Sequence, residues 1–391
     1  MSRFGHGMRA EWPLDPSVLY LNHGTVGATP LRVMAAQQRI REEIERQPSR
    51  FMLRELTAVA TGDPLPTPRL RRAAADVAAF VGARGEDVVF VENATTGLCA
   101  VLRSLPLGEG DEILHTDHIY GAIGNAAGFV ARGRGVHVRA VELPHPPDPG
   151  SVVRAIEAGL LPRTRLVIVE HITSESALVL PVAEIAAVCR SRGVPILIDG
   201  AHAPGALPLD IPSLGVDWYV GNLHKWAYAP RSCGILWAPP GRQEGLHPTV
   251  ISWGLDRGFT TEFDWQGTHD PTAYLAAPAA VAFLRELGLE DVLAYNRDLV
   301  WEAARLLARR WGTEVPAPRA MIGCMATLPL PTGTGSSKED AIRVRDALLY
   351  EDRIEVQLHA WRGRLWTRIS AQIYNEMSDY ERLADAVLAR A

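Results

Sequence analysis

The chain has 391 residues, 47% of them apolar and 22% charged, with a formal net charge of −5. This balance excludes intrinsic disorder and fibrous repeats, and a mildly acidic chain without a basic block makes a poor nucleic-acid binder. No apolar run approaches the roughly 18 residues of a membrane span, and the length suits one large α/β unit with a smaller one beside it.

The first landmark is a short strand and loop over 19–24. Proline-rich stretches at 64–68 and 144–149 mark loops. Between them begins an alternation of short apolar runs and helical stretches. A strand is expected over 87–91 with a helix from about 96, a strand over 112–115 with a helix after 120, and a strand over 136–141 with a helix near 152–160. The runs LVIVE (166–170) and PILID (195–199) have the continuous apolar character of buried parallel strands, and a helix over 182–192 joins them. Strands over 217–220 and 233–237 close the set. This rhythm predicts an α/β fold: a mostly parallel, seven-stranded sheet between helices. After about 265 the pattern changes. Helices over 273–287 and 289–311, strands near 320–328, 353–357 and 365–369, and helices over 338–351 and from 377 describe a smaller α+β unit. The expected division is 20–265 and 266–391, with 1–19 packing on the second.

Residues 1–13 carry no apolar core of a secretory signal. The four cysteines, Cys99, Cys189, Cys233 and Cys324, lack metal-type spacing and read as reduced thiols of a cytoplasmic protein. His115 and His118 stand three apart without a clear third ligand, so no metal is expected.

Lysine occurs twice among 40 basic residues, at Lys225 and Lys338. Arginine stays charged, whereas lysine can shed its proton and become a nucleophile, so a retained lysine calls for a reason. Lys338 sits in a polar loop entering a helix and reads as a solvated charge. Lys225 sits among aromatic residues in GNLHKWAYAP and is the chemical candidate.

In an open parallel sheet, ligands bind beyond the carboxyl ends of the strands. Three groups fall there. Asn93, Ala94 and Thr95 open a helix after the strand 87–91; they read as an anion seat or as an ordinary N-cap. Asp199 ends a buried strand, which is costly without a cationic partner, although a structural turn is the plainer alternative. Tyr120 precedes the helix after 120 and offers a ring either to a flat ligand or to packing.

Taken together, the ordered stretches Asn-Ala-Thr (93–95), Asp-Gly-Ala-His (199–202) and His-Lys (224–225) resemble pyridoxal-phosphate (PLP) enzymes of fold type I, in the class V aminotransferase family. YLNHG (20–24), DHIY (117–120), HITS (171–174), DGAHAPG (199–205) and HKW (224–226) resemble its isopenicillin N epimerase-like branch. The resemblance covers nearly the whole chain. It implies that Lys225 forms a Schiff base with the cofactor aldehyde and then moves the substrate Cα proton. It implies that Asp199 holds the ring nitrogen protonated, that Tyr120 stacks on the ring, and that His202 and Ser174 lie near its hydroxyl. Ala94 and Thr95 would bind the phosphate, with Asn222 and His224 adding contacts. Thr268, in FDWQGT (263–268), would reach the phosphate of a neighbouring subunit, giving a homodimer with shared sites. Arg368 would bind the substrate carboxylate through a bidentate guanidinium, with Asn22 and His23 nearby.

Within that resemblance three reactions at the amino-acid Cα share these residues: epimerisation or racemisation, β-elimination by a C–S lyase, and transamination. Epimerisation is the main expectation and needs a second acid/base, with Tyr120 or His23 as candidates. A cysteine desulfurase is disfavoured because the stretch 357–364 has no cysteine. His202, where some class V members carry Gln, also argues against that branch. For the substrate side chain, His23, Trp253 and Trp361 are candidate pocket residues. Arg54 reads as a surface-helix arginine, with a distal substrate acid as the alternative. The partner expected is a small amino-acid substrate, with neither nucleic acid nor membrane.

Overall fold

A computed structural model describes residues 3–57 and 67–391. The expected loop prolines Pro64 and Pro66 lie outside the described residues, while Pro68 caps the N-terminus of a helix. The large sheet has seven strands: β1 (Val88–Val91), β2 (Glu112–Thr116), β3 (His137–Val141), β4 (Thr164–Glu170), β5 (Ile196–Gly200), β6 (Trp218–Asn222) and β7 (Gly234–Trp237). Their order is β1-β7-β6-β5-β4-β2-β3. Only β7 runs antiparallel to its neighbours.

Helices cover both faces of this sheet. The longer helices of the chain, in order, are α1 (Leu31–Arg46), α2 (Arg69–Phe80), α3 (Ala94–Ser104), α4 (Gly121–Arg132), α5 (Pro149–Gly159), α6 (Val182–Ser191), α7 (Thr272–Glu286), α8 (Leu289–Trp311), α9 (Lys338–Tyr350) and α10 (Met377–Leu388), the last three packing with the smaller sheet. Alternate strand residues divide into two cores. Val89, Ile113, Ile168 and Leu197 pack with α3 and α4, whereas Phe90, Leu114, Val167 and Ile198 pack with α2, α5, α6 and α7. Both faces are apolar because both are covered, which is why the strands read as unbroken hydrophobic runs. Each such side chain contributes roughly 1.5–3 kcal/mol on full burial.

A second sheet of three antiparallel strands, in the order β9-β10-β8, is built from β8 (Met325–Pro329), β9 (Gln357–Trp361) and β10 (Arg364–Ser370). Residues 319–321, expected at the edge of a strand, form a single 3-10 turn before β8. The N-terminal segment lies against this part of the chain. The Gly5 amide donates to the Ile373 carbonyl at 2.8 Å, and Leu19 and Tyr20 pair in parallel with Ile354 and Glu355. Helix α7 packs on α1 and α2, and Phe90 stacks on Tyr274 at 4.9 Å. By its packing α7 therefore belongs with the large sheet, and the next break in the chain falls at Gly288, which has φ +76°.

Candidate active site

A cleft of about 990 Å³ opens at the carboxyl ends of β2, β4, β5 and β6, with β9 and β10 as its far wall. Its floor holds Asp199, His202 and Lys225. Asp199 is next to last in β5 and buried; one carboxylate oxygen accepts the Ala201 amide at 2.9 Å. Burial raises its pKa, with the Ala201 amide and Lys225 opposing the rise. Lys225 follows β6 on an irregular loop, and its Nζ lies 3.0 Å from His202 Nε2. Burial pushes the Lys225 ammonium down to about 7; the Arg368 guanidinium adds to this and Asp199 opposes it. Burial also drives His202 well below its ordinary value, so its neutral Nε2 accepts a hydrogen bond from Nζ. The result is an amine of which a large share is uncharged at neutral pH, the form a nucleophile requires.

One end of the cleft is a helix N-terminus. Asn93 caps α3, its side-chain oxygen accepting the Thr96 amide at 3.0 Å. Asn222 Oδ1 accepts the Ala94 amide at 2.8 Å. Thr95 lies between these two satisfied amides and lines the cleft. His224, anchored by Nδ1 to the Cys233 carbonyl at 3.0 Å, lines it too, and burial lowers its pKa to about 4. The Asn93 side chain thus serves as the cap, as the plainer reading of this stretch expected; the Thr95 hydroxyl and the positive end of the helix dipole are what this end of the cleft offers an anion.

Arg368 sits on β10 and is buried at the opposite end. Its Nη1 donates to the Ser174 carbonyl at 2.6 Å, and its Nη2 donates to Thr25 Oγ1 at 2.6 Å and Asn22 Oδ1 at 3.3 Å. Its Nε is buried without a partner, and burial lowers the guanidinium to about 10. A guanidinium with an unspent donor in a cleft is suited to a carboxylate ligand. Tyr120 stands on the loop after β2, lines the cleft and is 47% exposed.

The structure redraws several expected roles. His23 is 1% exposed and does not line the cleft. Its Nδ1 meets the Tyr374 hydroxyl at 2.8 Å and its Nε2 meets the Lys225 carbonyl at 3.0 Å. With both nitrogens spent, it braces the Lys225 loop and presents nothing to a substrate. Asn22 is likewise buried; it donates to Glu355 at 2.8 Å and accepts from Arg368, so it holds the arginine. Thr268 is exposed and lies outside this chain's own cleft. Trp253 is 80% exposed and also outside, whereas Trp361 lines the wall. Arg54 lies exposed on a single π-helical turn away from the cleft. His118 bonds Ser176 Oγ at 2.7 Å and His115 bonds the Thr116 carbonyl at 2.7 Å, so the two point to different partners.

Thr25, Ser176 and Glu170 escaped the sequence reading, and His118 was weighed there only as a metal ligand. Thr25 is a partner of Arg368, and His118 and Ser176 form a hydrogen-bonded pair in the wall. Glu170, the last residue of β4, is buried in the floor. The argument that singled out Asp199, an acid closing a buried strand, applies to Glu170 unchanged.

These residues fit PLP. The cleft offers an uncharged amine for the aldehyde, a buried acid for the ring nitrogen, a helix N-terminus for the phosphate, and an arginine with an unpaired donor for an amino-acid carboxylate. Fold and site together define a PLP-dependent enzyme of fold type I. The model for the family described as aminotransferase class-V matches residues 21–340, and the chain belongs to that family. It is 34% identical to an isopenicillin N epimerase of Streptomyces clavuligerus, covering 97% of this chain and 96% of that protein. It is 30% identical to a probable chloroplastic L-cysteine desulfhydrase of Arabidopsis thaliana, covering 95% and 83%. Among solved structures, C-DES with glycine covalently linked to its PLP cofactor superposes with a TM-score of 0.80 at 22% identity, covering 98% of this chain and 99% of that one.

Proposed function

We propose that this PLP enzyme removes and returns the Cα proton of an amino acid, inverting the centre as an epimerase or racemase does. The observation that carries the reading is the Lys225 amine, brought by burial to about 7 and lying 3.0 Å from a neutral imidazole, in one cleft with Asp199 and Arg368. When bound, the cofactor supplies an electron sink for charge released at Cα. The protein does the rest. Arg368, held by Asn22, Thr25 and Ser174, fixes the carboxylate and so orients Cα. Lys225 Nζ takes the proton, and His202 Nε2 holds the amine in place between turnovers. The second acid/base is Tyr120, since His23 is sealed behind the Lys225 loop.

A β-eliminating C–S lyase is the second reading. It needs one base instead of two, and relatives bear the names L-cysteine desulfhydrase and hercynylcysteine sulfoxide lyase. A desulfurase-type thiol is not supported: Cys324 is buried, with its Sγ at 3.5 Å from the Ala206 carbonyl, and burial pushes the thiol up to about 12. The test is to incubate the loaded enzyme with single amino acids in D2O. Deuterium at Cα with inversion supports epimerisation, and a keto acid with ammonia and the expelled leaving group, sulfide from cysteine, supports the lyase. Absence of both Cα exchange and keto-acid release with any amino acid refutes both.

We further propose a homodimer in which Thr268 of one protomer reaches the other's phosphate seat. The apolar side chains of Val250, Ile251, Trp253 and Leu255 are exposed shortly before Thr268, and contiguous patches of this kind mark protein contacts. A cytoplasmic site accords with four unpaired cysteines and with the lack, among the described residues, of a helix long and apolar enough to cross a membrane.

A further inference from the structure

We propose that Glu170 is a positioning residue for the cofactor ring: it keeps a buried proton beside Asp199, so that the two acids present a single negative charge to the ring nitrogen. The proposal rests on the ring nitrogen lying at Asp199 and is independent of which Cα reaction follows.

The geometry begins in the sheet. Glu170 on β4 and Asp199 on β5 are register partners in a parallel pair. Adjacent strands lie about 4.8 Å apart, and partners in register project to one face. Both side chains line the cleft, at 2% and 4% exposure. Glu170 Oε2 receives a long bond from Thr116 Oγ1 at 3.3 Å, while Oε1 is buried with no partner.

This chain treats its other buried acids differently. Glu112, at the far end of β2, takes Arg139 at 2.8 and 3.0 Å, Arg163 at 3.3 Å and Thr164 at 2.8 Å. Asp264 takes Arg71 at 2.7 Å. Glu170 has no arginine, in a chain rich in them. An ionised carboxylate so buried would be strongly disfavoured, so Glu170 holds its proton.

The groups around it divide: the Thr116 hydroxyl, the Tyr120 amide and its own amide favour the carboxylate, while burial and Asp199 oppose it more strongly. From β5 it faces Asp199, from β2 Thr116, and from the following loop the Tyr120 amide. The cations of the site act on other members: Lys225 faces His202 and Asp199, and Arg368 acts on Lys225. Burial, and next the Asp199 charge, raise Glu170 to about 8. Burial together with the neighbouring Asp199 charge disfavours ionising both acids at neutral pH, so the pair carries one proton and one negative charge. Loss of that proton makes the charge two, which strengthens the hold on a protonated ring nitrogen.

The experiment is pH-difference infrared spectroscopy of the full-length protein, cofactor-free and loaded, together with cofactor dissociation constants across pH. In the wild type a carboxylic-acid C=O band should persist at neutral pH and vanish with a midpoint near 8. Glu170→Gln should remove it. Asp199→Asn should lower the midpoint by about one unit or more, because the like charge is gone. The wild type should also gain affinity for PLP relative to Glu170→Gln by about tenfold as pH rises through the midpoint. If Glu170→Gln does not fold, Thr116→Val replaces it and should raise the midpoint by removing a donor to the carboxylate. Absence of a protonated carboxyl at neutral pH, or a band that survives Glu170→Gln, overturns the proposal. A midpoint indifferent to Asp199→Asn overturns the coupling between the two acids. A failed Cα-exchange assay with these results intact would count against the reaction, not against the dyad.

Discussion

An amine does chemistry only without its proton, and at Lys225 the surroundings remove it. Burial is the larger cause and the Arg368 charge the second; together they bring the group to about 7. Only the neutral form attacks an aldehyde, so trapping of the cofactor by borohydride should rise with pH through about 7 and level off above it. Lys225→Arg, which keeps a permanent charge, should give no trapped adduct at any pH; a mass shift on that variant would disprove the assignment. At the other end of the cleft, Arg368→Lys keeps the charge but replaces a planar fork with one point donor. A charge-assisted hydrogen bond contributes about 1.5–3 kcal/mol, so KM for the amino acid should rise roughly 10- to 100-fold. Steady-state kinetics checks this, and an unchanged KM would place the carboxylate elsewhere. Lys225 and Asp199 were legible in the sequence because a rare lysine and a strand-ending acid are locally anomalous. The tasks of Asn22 and His23 were not, since their partners Arg368 and Tyr374 lie 346 and 351 positions away.

The loop carrying Lys225 is held by elements that approach it closely. Gly205 has φ +84°, and a Cβ there would meet the Trp226 carbonyl oxygen at 2.3 Å; Gly27 has φ +70° and would meet the His224 carbonyl oxygen at 2.1 Å. Tyr228, also in the left-handed region with φ 63°, is locked by its hydroxyl donating to Gln372 at 2.7 Å. Gly205→Ala should therefore lower thermal stability by about 1–3 kcal/mol and slow cofactor capture by displacing the Lys225 loop. Calorimetry with stopped-flow uptake would test it; wild-type uptake in a destabilised variant would show that the loop is not so coupled. The strand and helix series from 87 onward was predicted largely in place, because buried parallel strands leave continuous apolar runs, whereas α1 and α2, which precede the first of those runs, were not predicted. Other errors fell at ends: α3 begins at Ala94 and not near 96, because Asn93 supplies the cap, and the strand expected from 320 starts at Met325.

At the scale of the whole molecule, the exposed run around Trp253 and the outlying Thr268 make sense together if a second copy covers them. Trp253→Glu places a charge where apolar contact is expected. It should convert a dimer into a monomer on sedimentation and weaken PLP affinity, while leaving the fold unchanged by circular dichroism. A monomeric wild type with full affinity would refute the shared site. Bound cofactor adds stability by mass action, about 2.7 kcal/mol at a hundredfold excess over Kd, so the loaded protein should melt higher.

The sequence by itself determined the fold class, through apolar periodicity, and, through the resemblance carried by its ordered short motifs, the cofactor. It also singled out Lys225 and Asp199 as candidates, one a lysine that arginine did not replace and the other an acid closing a buried strand. Tertiary structure alone decided which polar residues meet. It sealed His23, turned Asn22 to Arg368, left Trp253 in solvent, and set Glu170 beside Asp199. Those outcomes depend on strand order and register, which bring together residues distant in the chain, and on burial, which determines whether an ionisable group keeps its charge.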